Sequence, residues 1–190
     1  MRNTVAKLFL VALALGLMAC EQKAPVAEDP VARGKYLVTV AGCHDCHSPK
    51  NFGSNGEPIP DMARALSGHS QDLPYPEWTP ADMQRNAAAL GDPMFTSWAG
   101  PWGVSFAANL TPDVETGIGE WTEENFILAM RTGKHQGQPN GRDILPPMPW
   151  PNVKEMTDTD LKAVWAYLRS LPPIKNQVPL PVPPSAPPQQ

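Results

Sequence analysis

Apolar positions gather into a few short stretches, separated by long runs of proline, glycine and small polar residues. The first stretch is continuous: Leu8 to Leu17 reads LFLVALALGL behind the basic residues Arg2 and Lys7. A bilayer-spanning helix takes about 20 apolar residues, so this run fits the core of a secretory signal peptide instead. Next, Asp29-Pro30 marks a helix start, with Asp as N-cap and Pro in the first turn. Val31, Leu37, Val38, Val40 and the stem of Lys35 give that helix a partly apolar face, which stops at Gly42. Within the Pro/Gly-rich middle, TPADMQRNAAALG predicts a helix capped by Thr79 and stopped by Gly91.

Two further helices are marked by their N-caps. In WTEENFILAMRTG, Thr122 caps, Glu123 and Glu124 complement the positive end, and Gly133 closes. Phe126, Ile127 and Met130 share one of its faces. In TDTDLKAVWAYLRSL, Thr157 caps and Leu161, Val164, Trp165 and Leu168 follow the i, i+3, i+4, i+7 pattern. No alternation is long enough to predict a strand, so the expected fold class is all-α with a long loop-rich insertion at about 51–108. The Pro-rich tail, from Pro172 onward, is expected to be extended and mobile.

Composition sharpens this. With 24 prolines and only 7% aromatic residues, the polypeptide core is thin for its length. Such a chain gains from something rigid and apolar at its centre. The formal charge is −4, and removing Arg2 and Lys7 with a signal peptide makes the remainder more acidic. That balance argues against nucleic acid and for a protein partner presenting a basic patch.

The chemistry concentrates in AGCHDCHSPK, residues 41 to 50, which holds two of the three cysteines. A thioredoxin-like disulfide needs a βαβ context, and a zinc site needs four ligands. Cys43-His44-Asp45-Cys46-His47 instead reads as C-x-x-C-H, the attachment signal of haem c. Two thiols at this spacing reach the two vinyl groups on one porphyrin edge, and the following imidazole of His47 meets the iron. His44, a variable position of the motif, is expected to face solvent. The sixth iron ligand must come from elsewhere, and a thioether or a second imidazole are the common choices. Met148, stiffened by prolines in Leu145-Pro146-Pro147-Met148-Pro149-Trp150, is the leading candidate. Met62, Met83, Met94, His69 and His135 are its rivals, while Met130 and Met156 read as packing residues.

A helix ending in C-x-x-C-H, a Pro-Pro-Met-Pro loop and a final amphipathic helix resemble a class I cytochrome c domain. More narrowly, Asn109-Leu110-Thr111-Pro112-Asp113, Gly117-Ile118-Gly119-Glu120-Trp121, Arg131-Thr132-Gly133-Lys134-His135 and Pro146-Pro147-Met148-Pro149-Trp150 resemble the cytochrome c subunits associated with bacterial periplasmic dehydrogenases. The resemblance implies an electron carrier, not an enzyme on its own, with helices packed around one covalently bound haem. It makes His47 and Met148 the axial ligands and implies redox-protein donors and acceptors, a dehydrogenase among them. It also implies that the first and last helices cross, with Tyr36, Trp165 and Leu168 at the contact. Arg142, Trp121, Trp102 and the amides around Asn109 are the candidate donors to the haem propionates.

A separate resemblance concerns the N-terminus. Leu17-Met18-Ala19-Cys20 resembles the lipobox of bacterial lipoproteins, cleaved just before its cysteine. It implies a signal peptide over 1–19, a lipidated Cys20 and a tether over 20–28. The cytochrome domain then covers 29–173, followed by the tail, 174–190, and sits lipid-anchored on the periplasmic side of a bacterial membrane.

Overall fold

A computed structural model describes residues 28–79, 81–82 and 90–184. The signal-peptide reading, Cys20 and nearly all of the tether lie outside the described residues, as does most of the helix expected over 79–91. At that helix's start, the Thr79 hydroxyl accepts from the Asp82 amide at 3.2 Å, as a cap would.

Helix α1 runs Pro30–Val40, and the Asp29 carboxylate accepts from the Val31 amide at its start. Helix α2, Cys43–His47, follows after a turn at Gly42. Gly42 has φ +67°, where a side chain is disfavoured, and a Cβ there would sit 2.8 Å from the Asp45 carboxylate. Helix α3, Glu123–Thr132, opens with a reciprocal capping box between Thr122 and Asn125 and ends at Gly133. A short helix α4, Trp150–Val153, precedes the last one, α5, Asp158–Ser170, capped by Thr157.

The core forms where α1 crosses α5. Leu37, Val38, Phe126, Leu161, Val164, Trp165 and Leu168 are buried together with Leu66 and Ile118. The crossing is close because Gly34 has no side chain: a Cβ there would collide with the Ala163 carbonyl and lie 2.7 Å from Tyr167 Cβ. Arg33 flanks the crossing, its Nε and Nη2 both reaching Asp160 Oδ1 at 3.1 and 3.0 Å. Trp165 and Leu168 are buried as expected, but Tyr36 is 58% exposed, with the Arg33 guanidinium over its ring. The small residue makes the contact, not the aromatic one.

The all-α expectation is overturned. Two antiparallel sheets occupy the middle of the chain: β1 (Lys50–Phe52) with β2 (Pro58–Pro60), and β3 (Leu90–Gly91) with β4 (Ser97–Gly100) and β5 (Gly103–Phe106). None of these strands exceeds four residues, too short for period-two alternation to emerge from the sequence. Gly91, expected to stop a helix, pairs with Trp98 across the second sheet. Pairing comes from tight turns and long-range partners: Ala99 faces Val104, and Val104 also bridges Val182.

Nor does the segment after Pro172 hang free. Buried Asn176 donates through Nδ2 to the carbonyls of Ser67 and His69 at 2.7 and 2.8 Å, and its Oδ1 accepts from the Gln71 amide. Asn109 Nδ2 donates to the Ile174 carbonyl at 2.8 Å. The extended chain staples residues 67–71 to the Asn109–Thr116 loop. Among the described residues no helix is long and apolar enough to cross a membrane.

Candidate haem site

The site starts from α2, whose single turn puts Cys43, Cys46 and His47 on one short rod. Its C-terminal carbonyls are satisfied from outside the helix. Lys50 Nζ donates to the carbonyls of His44 and Ser48, and the Gly68 amide donates to the His47 carbonyl at 2.8 Å. Ser48 Oγ in turn accepts from the Leu66 amide and pairs with His44 Nδ1, each at 2.9 Å. His44 is therefore half-buried and locally bonded, not a solvent-facing residue.

Both thiols are free and half-buried. Burial, then the neighbouring Cys46, pushes the Cys43 thiol up to about 11, and burial raises Cys46 as well. Cys43 packs against the main core cluster. His47 Nδ1 lies 2.8 Å from the Ala108 carbonyl oxygen. A carbonyl only accepts, so Nδ1 carries the proton and Nε2 keeps the lone pair that a metal requires. Two unbonded thiols beside an imidazole held in its metal-binding tautomer fit a covalently attached haem.

Met148 is half-buried in a loop whose Pro146–Pro147 peptide is cis, and its amide donates to the Leu145 carbonyl at 3.3 Å. Its rivals are placed otherwise. Met130 and Met156 pack on the core, as expected, and Met62 is 63% exposed in a 3-10 turn over Met62–Arg64. Met94 lines a cavity of about 390 Å³ with His69, Tyr75 and Asp92. His69 is fully buried with Nδ1 on Thr96 Oγ1 at 2.8 Å. His135 sits edge-on to Trp121, ring centroids 5.3 Å apart. Met83 lies outside the described residues.

The expected propionate donors divide. Asn109's side chain is spent on Thr111, Thr116 and Ile174, and the Leu110 amide on the Leu66 carbonyl. Trp102 Nε1 donates to Ser105 Oγ at 3.3 Å. Arg142 remains exposed, with Nη1 donating to the next residue's carbonyl at 3.4 Å. The groups that sequence reasoning missed are Ser48, Lys50, Ser105 and Ala108. A backbone carbonyl carries no residue signature, so Ala108 had no signal to find.

Comparison with known proteins supplies the family. The cytochrome c family model matches residues 31–172. The chain is 30% identical over 168 residues to the gluconate 2-dehydrogenase cytochrome c subunit of Pantoea cypripedii, covering 88% of this chain and 28% of that one. It is 29% identical over 161 residues to the cytochrome c subunit of the quinone alcohol dehydrogenase of Gluconobacter oxydans, covering 83% and 25%. Against the fructose dehydrogenase cytochrome subunit of Gluconobacter japonicus, identity is 27% over 157 residues, 80% of this chain and 24% of that one. The chain thus spans less than a third of the length of these curated relatives. A match running from the first helix to just past the last is far more than a shared pentapeptide: this chain belongs to the cytochrome c family, and haem c is its covalently held electron-transfer cofactor.

Proposed function

We propose that the chain takes single electrons from a dehydrogenase and passes them to a second redox protein, its iron held between His47 and Met148. Bound haem c supplies a one-electron ferric–ferrous couple. The protein's own residues do the rest. Cys43 and Cys46 hold the porphyrin edge, and Ala108 fixes the His47 tautomer through the 2.8 Å bond to Nδ1. That bond carries the reading, because it leaves the Nε2 lone pair available to a metal. Met148 supplies a soft sixth ligand that raises the potential relative to a second imidazole and closes the iron to small oxidants.

The relatives' names support a dehydrogenase partner: they are those of cytochrome subunits of gluconate, alcohol and fructose dehydrogenases. The acidic balance of this chain favours a partner with a basic docking patch. Cys20 supplies the lipid anchor outside the cytoplasmic membrane; an acyl chain contributes about 0.8 kcal/mol per buried methylene. Cys20→Ser is expected to move the protein from membranes to a soluble exported fraction, or to leave it unprocessed, with its visible spectrum unchanged. Protein that salt alone washes from membranes would contradict the anchor. The functional reading is tested by potentiometric titration followed in the visible. One wave with the slope of a one-electron couple supports it, and a ferrous form that takes up carbon monoxide at once contradicts the six-coordinate site.

A further inference from the structure

Strand β5 and the residues after it touch both ligand-bearing segments of the chain. At one end, the Ala108 carbonyl accepts from His47 Nδ1 at 2.8 Å. Three residues earlier, buried Ser105 donates through Oγ to the Pro146 carbonyl at 2.6 Å, two positions before Met148. Three residues of fully extended chain span at most about 11 Å, so the two anchors are near one another. Among the described residues, the Ser105 bond is the hydrogen bond that reaches 145–149 from a distant part of the fold.

We propose that Ser105 is a positioning residue for the methionine ligand, and that residues 105–108 set both axial ligands from a single backbone segment. The proposal rests on Met148 being that ligand. The direction of the Ser105 hydroxyl is unambiguous. Trp102 Nε1, 3.3 Å away, can only donate, and the Pro146 carbonyl can only accept. Pro146 and Pro147 offer no amide hydrogen of their own, so the loop depends on an outside donor for attachment. The segment that supplies it is rigid. Ser105 pairs with Trp98 in the sheet, Val104 exchanges two hydrogen bonds with Val182, and the Ala107 amide donates to the Thr96 carbonyl at 2.8 Å. The stranded part of the middle segment thereby acquires a purpose: it is the brace that aims the sulfur.

The test measures imidazole affinity of the ferric holoprotein, since imidazole competes with the thioether for the sixth position. Ser105→Ala is expected to bind imidazole roughly three- to tenfold more tightly, the share of one net hydrogen bond. Ser105→Thr, which keeps the hydroxyl, should restore wild-type affinity. Trp102→Phe, which frees the hydroxyl to swing, should shift affinity the same way by less, and serves if Ser105→Ala does not fold. A purely structural role would lower the denaturation midpoint and leave imidazole affinity unchanged, and that result overturns the positioning role. Met148→Ala separates the two claims. If it opens the site while Ser105→Ala and Trp102→Phe do nothing, the ligand stands and the positioning role falls. If Met148→Ala binds imidazole no better than wild type, the ligand assignment falls and takes this proposal with it.

Discussion

The Nδ1 nitrogen of His47 and the carbonyl oxygen of Ala108 lie 2.8 Å apart, joined across 61 positions of sequence. Nearly everything between them is the loop-rich insertion, so its far end finishes the job its near end starts. A histidine ligand gains basicity and a fixed ring plane from such a bond. The folding of residues 51–108 therefore bears on how the His47 ring is held.

The α1–α5 crossing makes the first prediction. Gly34→Ala should gain about 1 kcal/mol of helix propensity. It should lose more to overpacking against the Ala163 carbonyl, for a net destabilisation on the order of 2 kcal/mol. Denaturant unfolding of the variant checks this, and a stabilised protein would mean the helices do not cross as described.

Asn176 makes the second. Asn176→Ala leaves the Ser67 and His69 carbonyls and the Gln71 amide without their partner. A cost of roughly 2–4 kcal/mol follows, with the haem spectrum unchanged. A midpoint equal to wild type would show that the C-terminal segment does not dock.

The third concerns pH. Burial holds His69 below its ordinary value, only partly offset by the Asp92 carboxylate 3.7 Å away. Protonation would also bury a charge on a ring whose Nε2 has no hydrogen-bond partner among the described residues. Below the ordinary histidine value the unfolded chain binds a proton that the native state refuses, so stability is full above about pH 6.5 and falls as pH drops further. His44 and His135 are lowered too and add the same sign. Unfolding midpoints between pH 7.5 and 5 should therefore fall less steeply in His69→Gln than in wild type, and parallel curves would contradict the assignment.

What the sequence made legible is what local chemistry encodes. Asp29, Thr122 and Thr157 announce helix starts because a capping side chain acts within three residues. Cys43, Cys46 and His47 announce a haem because one turn of helix holds all three. The strands stayed hidden because Ser97–Gly100 and Gly103–Phe106 are set by pairing, not by alternation. Ser105 stayed hidden because its partner is 41 residues away and is a backbone carbonyl. Tyr36, placed at the crossing by the family resemblance, is exposed because close-crossing helices favour the side-chain-free Gly34 there.

The most direct test of the central claim is the ferric spectrum and midpoint potential of wild type beside Met148→His. A thioether on ferric haem gives a weak sulfur-to-iron charge-transfer band at the red end of the visible spectrum, and imidazole in its place removes it. Imidazole also favours ferric iron, so the potential should drop by more than roughly 100 mV, where about 60 mV is 1.4 kcal/mol for a one-electron couple. Wild type should show the band, and Met148→His should lose it and show that fall in potential. A variant that keeps both the band and the wild-type potential would show that another residue holds the iron.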